Sequence, residues 1–272
     1  MPKNLSITLV QPNIKWESPI DNFKLLNKQL SKMEKGESDI LLLPEMFSTG
    51  FSMNAKKLAE EMEGPAMQWM FETAQGLKSA ICGSIMIKEA GKFYNRFIWM
   101  EPDGHYDHYD KRHLFRMGKE EKTYTGSTEG IVIEYKGWGF CPMVCYDLRF
   151  PVWSRNRILG KGAKAKYDYD VLLYVANWPA VRTYAWQQLL IARAIENQCY
   201  VAGVNRVGED GNKIKYCGDS GLYNPLGEPI SNLKSNKAGL QTIELNWKAL
   251  QDIRKKFPVL LDADTFEVDT RH

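Results

Sequence analysis

The longest apolar runs in this chain are strand-sized. Ile40–Leu43 and Val171–Val175 are each entered from an aspartate, Asp39 and Asp170, and contain no charge. A bilayer span needs roughly 20 apolar residues, so neither run crosses a membrane. Runs of this length mark buried strands, and a buried strand requires other elements packed on it. Those covering elements are legible as well. Pro19–Met33 places Ile20, Phe23, Leu26, Leu30 and Met33 on one helical face, with Ser18 positioned as its N-cap. Further helices are expected over Ala66–Lys78, Thr183–Gln198 and Trp247–Lys256.

Strands are expected at Leu5–Val10, Ala80–Lys88 and Tyr200–Arg206, together with two hairpins. Phe93–Glu101 and His105–Lys111 turn at Pro102-Asp103-Gly104, and Ile131–Tyr135 and Trp138–Val144 turn at Lys136-Gly137. Pro151 is placed to open a short helix, because proline suits the first helical turn. Two more hairpin strands precede the closing helix. This mixture of βα units and hairpins, without internal repeat or low-complexity tract, predicts one α/β domain over residues 1–272. Lys161-Gly162-Ala163-Lys164-Ala165-Lys166 reads as a basic surface insertion within it, not as a linker.

Charge and cysteine usage narrow the partners. Lys and Arg number 36 against 33 Asp and Glu, a formal charge of +3, too small and too evenly spread for a nucleic-acid partner. Met1-Pro2-Lys3-Asn4 leads straight into the first strand with no signal-peptide core, so a cytoplasmic protein is expected, with no membrane partner. Cys82, Cys141, Cys145, Cys199 and Cys217 make an odd set without a CxxC pair, against both a disulfide framework and a structural zinc site. Most read as small buried hydrophobes.

Three polar residues stand where strands end. Glu45 follows Ile40–Leu43, Lys111 ends the strand through Tyr106–Asp110, and Cys145 ends Gly139–Val144. Strand ends on a sheet rim are where loops converge over a rigid scaffold. A free thiol needs a base or a nearby cation to become a nucleophile. A carboxylate screened from water serves as a general base near neutrality. Taken singly, each has a plainer reading: a helix cap, a solvated charge, a buried thiol.

Their flanking sequences are more specific. Leu43-Pro44-Glu45-Met46-Phe47, Tyr109-Asp110-Lys111-Arg112-His113-Leu114-Phe115 and Val144-Cys145-Tyr146-Asp147-Leu148-Arg149-Phe150-Pro151 resemble, in order, the three catalytic blocks of the nitrilase superfamily of carbon–nitrogen hydrolases. Asn177-Trp178-Pro179, the stretch Ala192–Gln198 and Gly218-Asp219-Ser220 add to the likeness, which covers nearly the whole chain. The resemblance implies a four-layer α-β-β-α sandwich and a cysteine amidase without metal or cofactor, acting on a small amide and water. In that scheme Cys145 is the nucleophile and Glu45 the general base, while Lys111 favours the thiolate and stabilises the oxyanion. The Tyr146 backbone N–H is the second oxyanion donor. A second glutamate follows the lysine block; counting back from Gly126-Ser127 favours Glu120, with Glu121 one step away. The resemblance also implies association into at least a homodimer, and Thr183–Gln198 suits an interface as well as it suits internal burial.

Within the superfamily, Phe47–Phe51, Lys111–Met117 and Cys145–Asn156 most resemble the omega-amidase branch, which hydrolyses the terminal amide of 2-oxo acids such as 2-oxoglutaramate and 2-oxosuccinamate. Such a substrate needs a cation about one substrate length from the thiol. Arg149 is the candidate, because guanidinium grips carboxylate in a bidentate fork; the competing reading pairs it with Asp147 or a helix end. Phe47 and Trp178 are candidate apolar walls, and Asn177 a candidate substrate contact. An aliphatic amidase, an N-carbamoyl amine hydrolase or a nitrilase would use the same three catalytic residues.

Three rival classes frame this reading. A Cys–His hydrolase would rely on His113, since His272 is terminal and His105 and His108 lie along the hairpin strand. A metal site would draw on His105, Asp107, His108, Asp110 and His113, but strand alternation sends His105 and His108 to opposite faces. A non-enzymatic assembly module would leave Cys145 an inert buried thiol.

Overall fold

The computed structural model describes residues 2–160 and 166–269. The basic insertion thus lies outside the described residues except for Lys166, as does His272. β1 (Leu5–Gln11), α1 (Pro19–Leu30), β2 (Ile40–Leu42), α2 (Ala55–Leu58) and α3 (Pro65–Leu77) come first. They lead into the meander β3 (Ala80–Glu89), β4 (Lys92–Met100) and β5 (Tyr106–Asp110). β6 (Ile133–Tyr135) and β7 (Trp138–Val144) open the second half, and a short pair, β8 (Ile158–Leu159) and β9 (Lys166–Tyr167), precedes β10 (Val171–Ala176). Then follow α4 (Thr183–Asn197), β11 (Tyr200–Asn205), and the small hairpin of β12 (Val207–Glu209) and β13 (Lys215–Cys217). β14 (Gly221–Tyr223), β15 (Gly239–Leu245) and α5 (Trp247–Lys256) complete the order.

The strands form two main sheets, ordered β15-β1-β2-β3-β4-β5 and β14-β11-β10-β7-β6. Period-two alternation decides what each face meets. Leu5, Ile7 and Leu9 of β1, Ile40 and Leu42 of β2, and Phe97 and Trp99 of β4 share a core with Trp138 and Phe140 of β7. One step out of phase, Val10, Leu41, Leu43, Ile81 and Ile98 meet Leu26 and Leu30 of α1 and Met67, Trp69 and Met70 of α3. On the far side, α4 lies so close to β11 that a Cβ on Gly203 would stand 2.5 Å from Leu190. Burial of a side chain such as Leu190 contributes about 1.5–3 kcal/mol. The layers run helix, sheet, sheet, helix, as the resemblance implies.

Strand direction places the site. β1, β2 and β3 are parallel; β5, antiparallel to the antiparallel β4, runs with them. In the second sheet β7, β10 and β11 are parallel. The chain therefore leaves β2 and β5 at one edge of the first sheet, and β7 and β10 at one edge of the second.

Three local expectations are corrected. α1 stops at Leu30, leaving Met33 buried from the following turn and Ile20 69% exposed. Its N-cap Ser18 does not cap with its side chain, because the hydroxyl donates to the Asp21 carboxylate at 2.7 Å. The short helical turn spans Cys145–Arg149 instead of starting at Pro151, because Asp147 Oδ2 accepts the Val144 N–H at 3.0 Å and closes the turn early.

Candidate active site

Glu45 lies just beyond β2 and is followed by Met46 at φ 44°, a sharp turn that carries the chain away from the sheet. Lys111 follows β5 directly. Its Nζ lies 2.8 Å from Glu45 Oε1 and 3.0 and 2.9 Å from the two carboxylate oxygens of Glu120. All three side chains are fully buried. Glu120 also accepts the Phe115 N–H at 2.6 Å, so Glu120 and not Glu121 is the carboxylate that reaches the lysine. The second sheet contributes Asn177, just past β10. Its backbone N–H donates to Glu45 Oε2 at 2.8 Å, and its side chain donates to the Glu45 carbonyl at 2.5 Å.

Cys145 directly follows β7 with φ 47°, a left-handed conformation that is costly for a residue with a side chain and clusters at functional sites. Its Sγ lies 3.9 Å from the Asn177 carbonyl oxygen. The turn it begins is braced by Asp147. Oδ2 accepts from Tyr109 Oη at 2.9 Å as well as from Val144, while Oδ1 accepts the His113 N–H at 2.9 Å. The nucleophile turn is thus fastened to the loop that carries Lys111.

Electrostatics set the protonation state. Burial pushes the Cys145 thiol well above its ordinary value; the Glu45 carboxylate adds to this, and Lys111 offsets it only in part. Lys111 favours the thiolate, as expected, but burial and the two carboxylates act against it. Burial alone would neutralise Lys111, but Glu120 and Glu45 outweigh it and hold the lysine above the usual range. Burial also raises Glu120, with Lys111 opposing and Glu45 reinforcing the shift. Protons move here when a substrate arrives.

Glu45, Lys111 and Cys145 line a cavity of about 860 Å³. Phe51, Phe115, Tyr146 and Trp178 give it aromatic walls, and Tyr146 stands in the first helical turn after the thiol, where backbone N–H groups lack helical partners. Arg149 lines the cavity with its guanidinium 5.0 Å from the Trp178 ring. It does not pair with Asp147, whose oxygens are taken by Tyr109, Val144 and His113. Phe47 is a further correction. It packs on Trp69 at 5.4 Å between ring centroids and against Gly83, where a Cβ would stand 3.0 Å from its ring, so it belongs to the core under α3 and not to the cavity wall.

The structure adds residues that sequence reasoning missed. Asn95 in β4 is buried and donates to both carboxylates of the cluster, and the buried Ser84 in β3 donates to Asn95. A polar residue inside an otherwise buried strand was the available signal, since such a group demands partners. Arg182, just before α4, brings a second guanidinium to the cavity, 5.6 Å from the Phe115 ring.

Comparison with known proteins identifies the family. The carbon-nitrogen hydrolase family model matches residues 6–255. Omega-amidase YafV of Escherichia coli (strain K12) is 44% identical over 266 residues, covering 97% of this chain and 98% of that protein. The 2-oxoglutaramate amidase of Bacillus subtilis (strain 168) is 31% identical over 261 residues, 94% of this chain and 96% of that one. Among solved structures, XC1258 from Xanthomonas campestris is described as a CN-hydrolase superfamily protein with an arsenic adduct in the active site. It matches with a TM-score of 0.94 and 43% identity, covering 98% of this chain and 99% of that chain.

Proposed function

The chain belongs to the carbon–nitrogen hydrolase family, and from that premise we propose a specific reaction and a role for each residue of the site. The protein is an omega-amidase. It hydrolyses the terminal amide of 2-oxo dicarboxylic acid monoamides, such as 2-oxoglutaramate and 2-oxosuccinamate, through a thioester. The observation that carries this reading is the buried Glu45–Lys111–Glu120 cluster beside Cys145, in a cavity whose wall includes Arg149, which has no carboxylate partner among the described residues.

Cys145 Sγ attacks the amide carbon while its proton passes to Glu45, so charge separation is confined to the moment of reaction. The carbonyl oxygen becomes an oxyanion held by the Tyr146 N–H and the Lys111 charge. Glu45 returns the proton to the amide nitrogen, the C–N bond breaks and ammonia leaves. Water then attacks the thioester carbon and gives a proton to Glu45; the C–S bond breaks and the sulfur takes that proton back. Glu120 holds Lys111 in place. Arg149 grips the substrate carboxylate, backed by Trp178.

An ammonia-release assay on 2-oxoglutaramate, 2-oxosuccinamate, a simple aliphatic amide and a nitrile tests the reading. Turnover of the 2-oxo acids is expected; turnover of the aliphatic amide alone would overturn the substrate assignment. We also propose that the protein works in the cytoplasm, which suits its five free cysteines, and as a homodimer. Tyr184 and Ile195 on α4 are 75% and 50% exposed, an apolar stripe suited to self-association. Sedimentation of wild type against Ile195→Asp decides the latter: a dimer reduced to monomer supports it, and an unchanged species rejects it.

A further inference from the structure

We infer that Asn95 is a positioning residue for the amide hydrolysis: its side-chain amide joins Glu45 to Glu120 and leaves Oε2 as the one Glu45 oxygen open to the Cys145 proton. The inference rests on the reading of Glu45 as general base and goes beyond it.

Asn95 lies in the middle of β4 and is fully buried. Its Nδ2 donates to Glu45 Oε1 at 2.8 Å and to Glu120 Oε1 at 3.1 Å. Its Oδ1 accepts from Ser84 Oγ at 2.8 Å, and that oxygen in turn accepts the Met46 N–H at 2.9 Å. The Asn95 carbonyl accepts the Lys111 N–H at 2.9 Å. The amide cannot be turned over. Two carboxylate oxygens on one side require a donor, and the Ser84 hydroxyl supplies the proton on the other.

The bonds can be counted against the capacity of each oxygen. A carboxylate oxygen has about two lone-pair sites. At Glu45 Oε1 both are taken, by Lys111 Nζ and Asn95 Nδ2. At Oε2 the Asn177 N–H takes one, which leaves a single site. A proton from Cys145 therefore has one destination, and the carboxyl group need not rotate between taking it and returning it. An amide suits this place for a further reason. Two carboxylates share one ammonium, and the amide supplies two more N–H groups without itself titrating. The other ionisable groups facing the cluster are Cys145 and Tyr124, whose hydroxyl donates to the Ser52 carbonyl; Glu17 lies beyond Tyr124.

The test compares Asn95→Asp and Asn95→Ala with wild type by kcat/KM against pH on 2-oxoglutaramate, with thermal melts to fix the folded fraction. Asn95→Asp keeps the side-chain volume and the Ser84 bond but sets an acid against two carboxylates. The acid limb of its profile is expected to move up by about one pH unit or more. Asn95→Ala is expected to lose roughly 10- to 100-fold in activity per folded molecule, by analogy with removal of the hydrogen-bond partner that orients a metal ligand. An Asn95→Asp profile that coincides with wild type overturns the inference, as does an Asn95→Ala variant of full specific activity. If the Asn95 variants do not fold, Ser84→Ala, which unlatches the amide without touching either carboxylate, takes their place: a shifted acid limb supports the inference and an unshifted one overturns it. Glu45→Gln separates the two levels. If it stays active, the general-base reading fails; if it is inactive while Asn95→Asp is unshifted, only the role of Asn95 fails.

Discussion

His113 Nδ1 lies 2.8 Å from Asp147 Oδ1, and the imidazole stacks on Phe150 with centroids 3.8 Å apart and planes 7° from parallel. The same Asp147 oxygen accepts the His113 backbone N–H. The residue two past Lys111 is thereby fastened to the residue two past Cys145. The bond holds two loops in register, and His113 is not among the residues that line the cavity with Cys145.

A His113→Ala variant is therefore expected to lose stability but to keep activity within about tenfold of wild type per folded molecule, since the lost bond and stacking are structural. Cys145→Ala should show no turnover. Measuring ammonia release beside thermal melts decides the point. Abolished activity in a fully folded His113→Ala would restore the Cys–His mechanism.

Lys111→Met removes the ammonium from between two buried carboxylates. Breaking a buried pair by deleting one partner costs about 3–5 kcal/mol, because the remaining charge is left uncompensated. Urea unfolding should show that loss, and Glu120→Gln added to it should recover part of the stability without recovering activity. Unchanged stability in Lys111→Met would mean that the carboxylates are not held ionised by the lysine.

Arg149→Gln should lower kcat/KM for 2-oxoglutaramate by about 100-fold, chiefly through KM, while leaving a neutral aliphatic amide nearly untouched. Loss of a charge-assisted bidentate contact costs about 2–5 kcal/mol when the partner charge is desolvated, and a substrate without a carboxylate has nothing to lose. Equal losses on both substrates would assign Arg149 to packing on Trp178.

What could be read in advance depended on range. Glu45, Lys111 and Cys145 each follow a strand whose apolar pattern is local, so their place at strand ends was legible from short windows, while their grouping came from the resemblance. Glu120 was legible only by counting, and its identity was decided by the Phe115 N–H that fixes its carboxylate. Phe47 misled because it neighbours the base in sequence, yet the next turn sends it under α3, where Gly83 leaves it room. Asn95, Ser84 and the Tyr109–Asp147 contact join residues 11 to 50 positions apart in sequence. No periodicity encodes such pairings; they exist only once the sheets have formed.

The buried thiols also predict how stability depends on pH. Cys82, Cys141, Cys145 and Cys199 are all raised above the ordinary thiol value of 9.0, with burial the largest cause in each. In the unfolded chain the same groups lose their protons near that value. Above about pH 9 the native state thus binds more protons than the unfolded state, and stability must fall as pH rises. The contribution is fully present below the unfolded value and is lost progressively above it, at up to about 1.4 kcal/mol per pH unit for each thiol. Tyr109 and Tyr169, raised chiefly by burial, act in the same direction once free tyrosine ionises near 10. Urea midpoints should therefore decline from about pH 8.5 to 10.5, and a Cys82→Ala, Cys199→Ala double variant should decline less steeply. A flat or rising midpoint across that range would show that these thiols ionise within the folded protein.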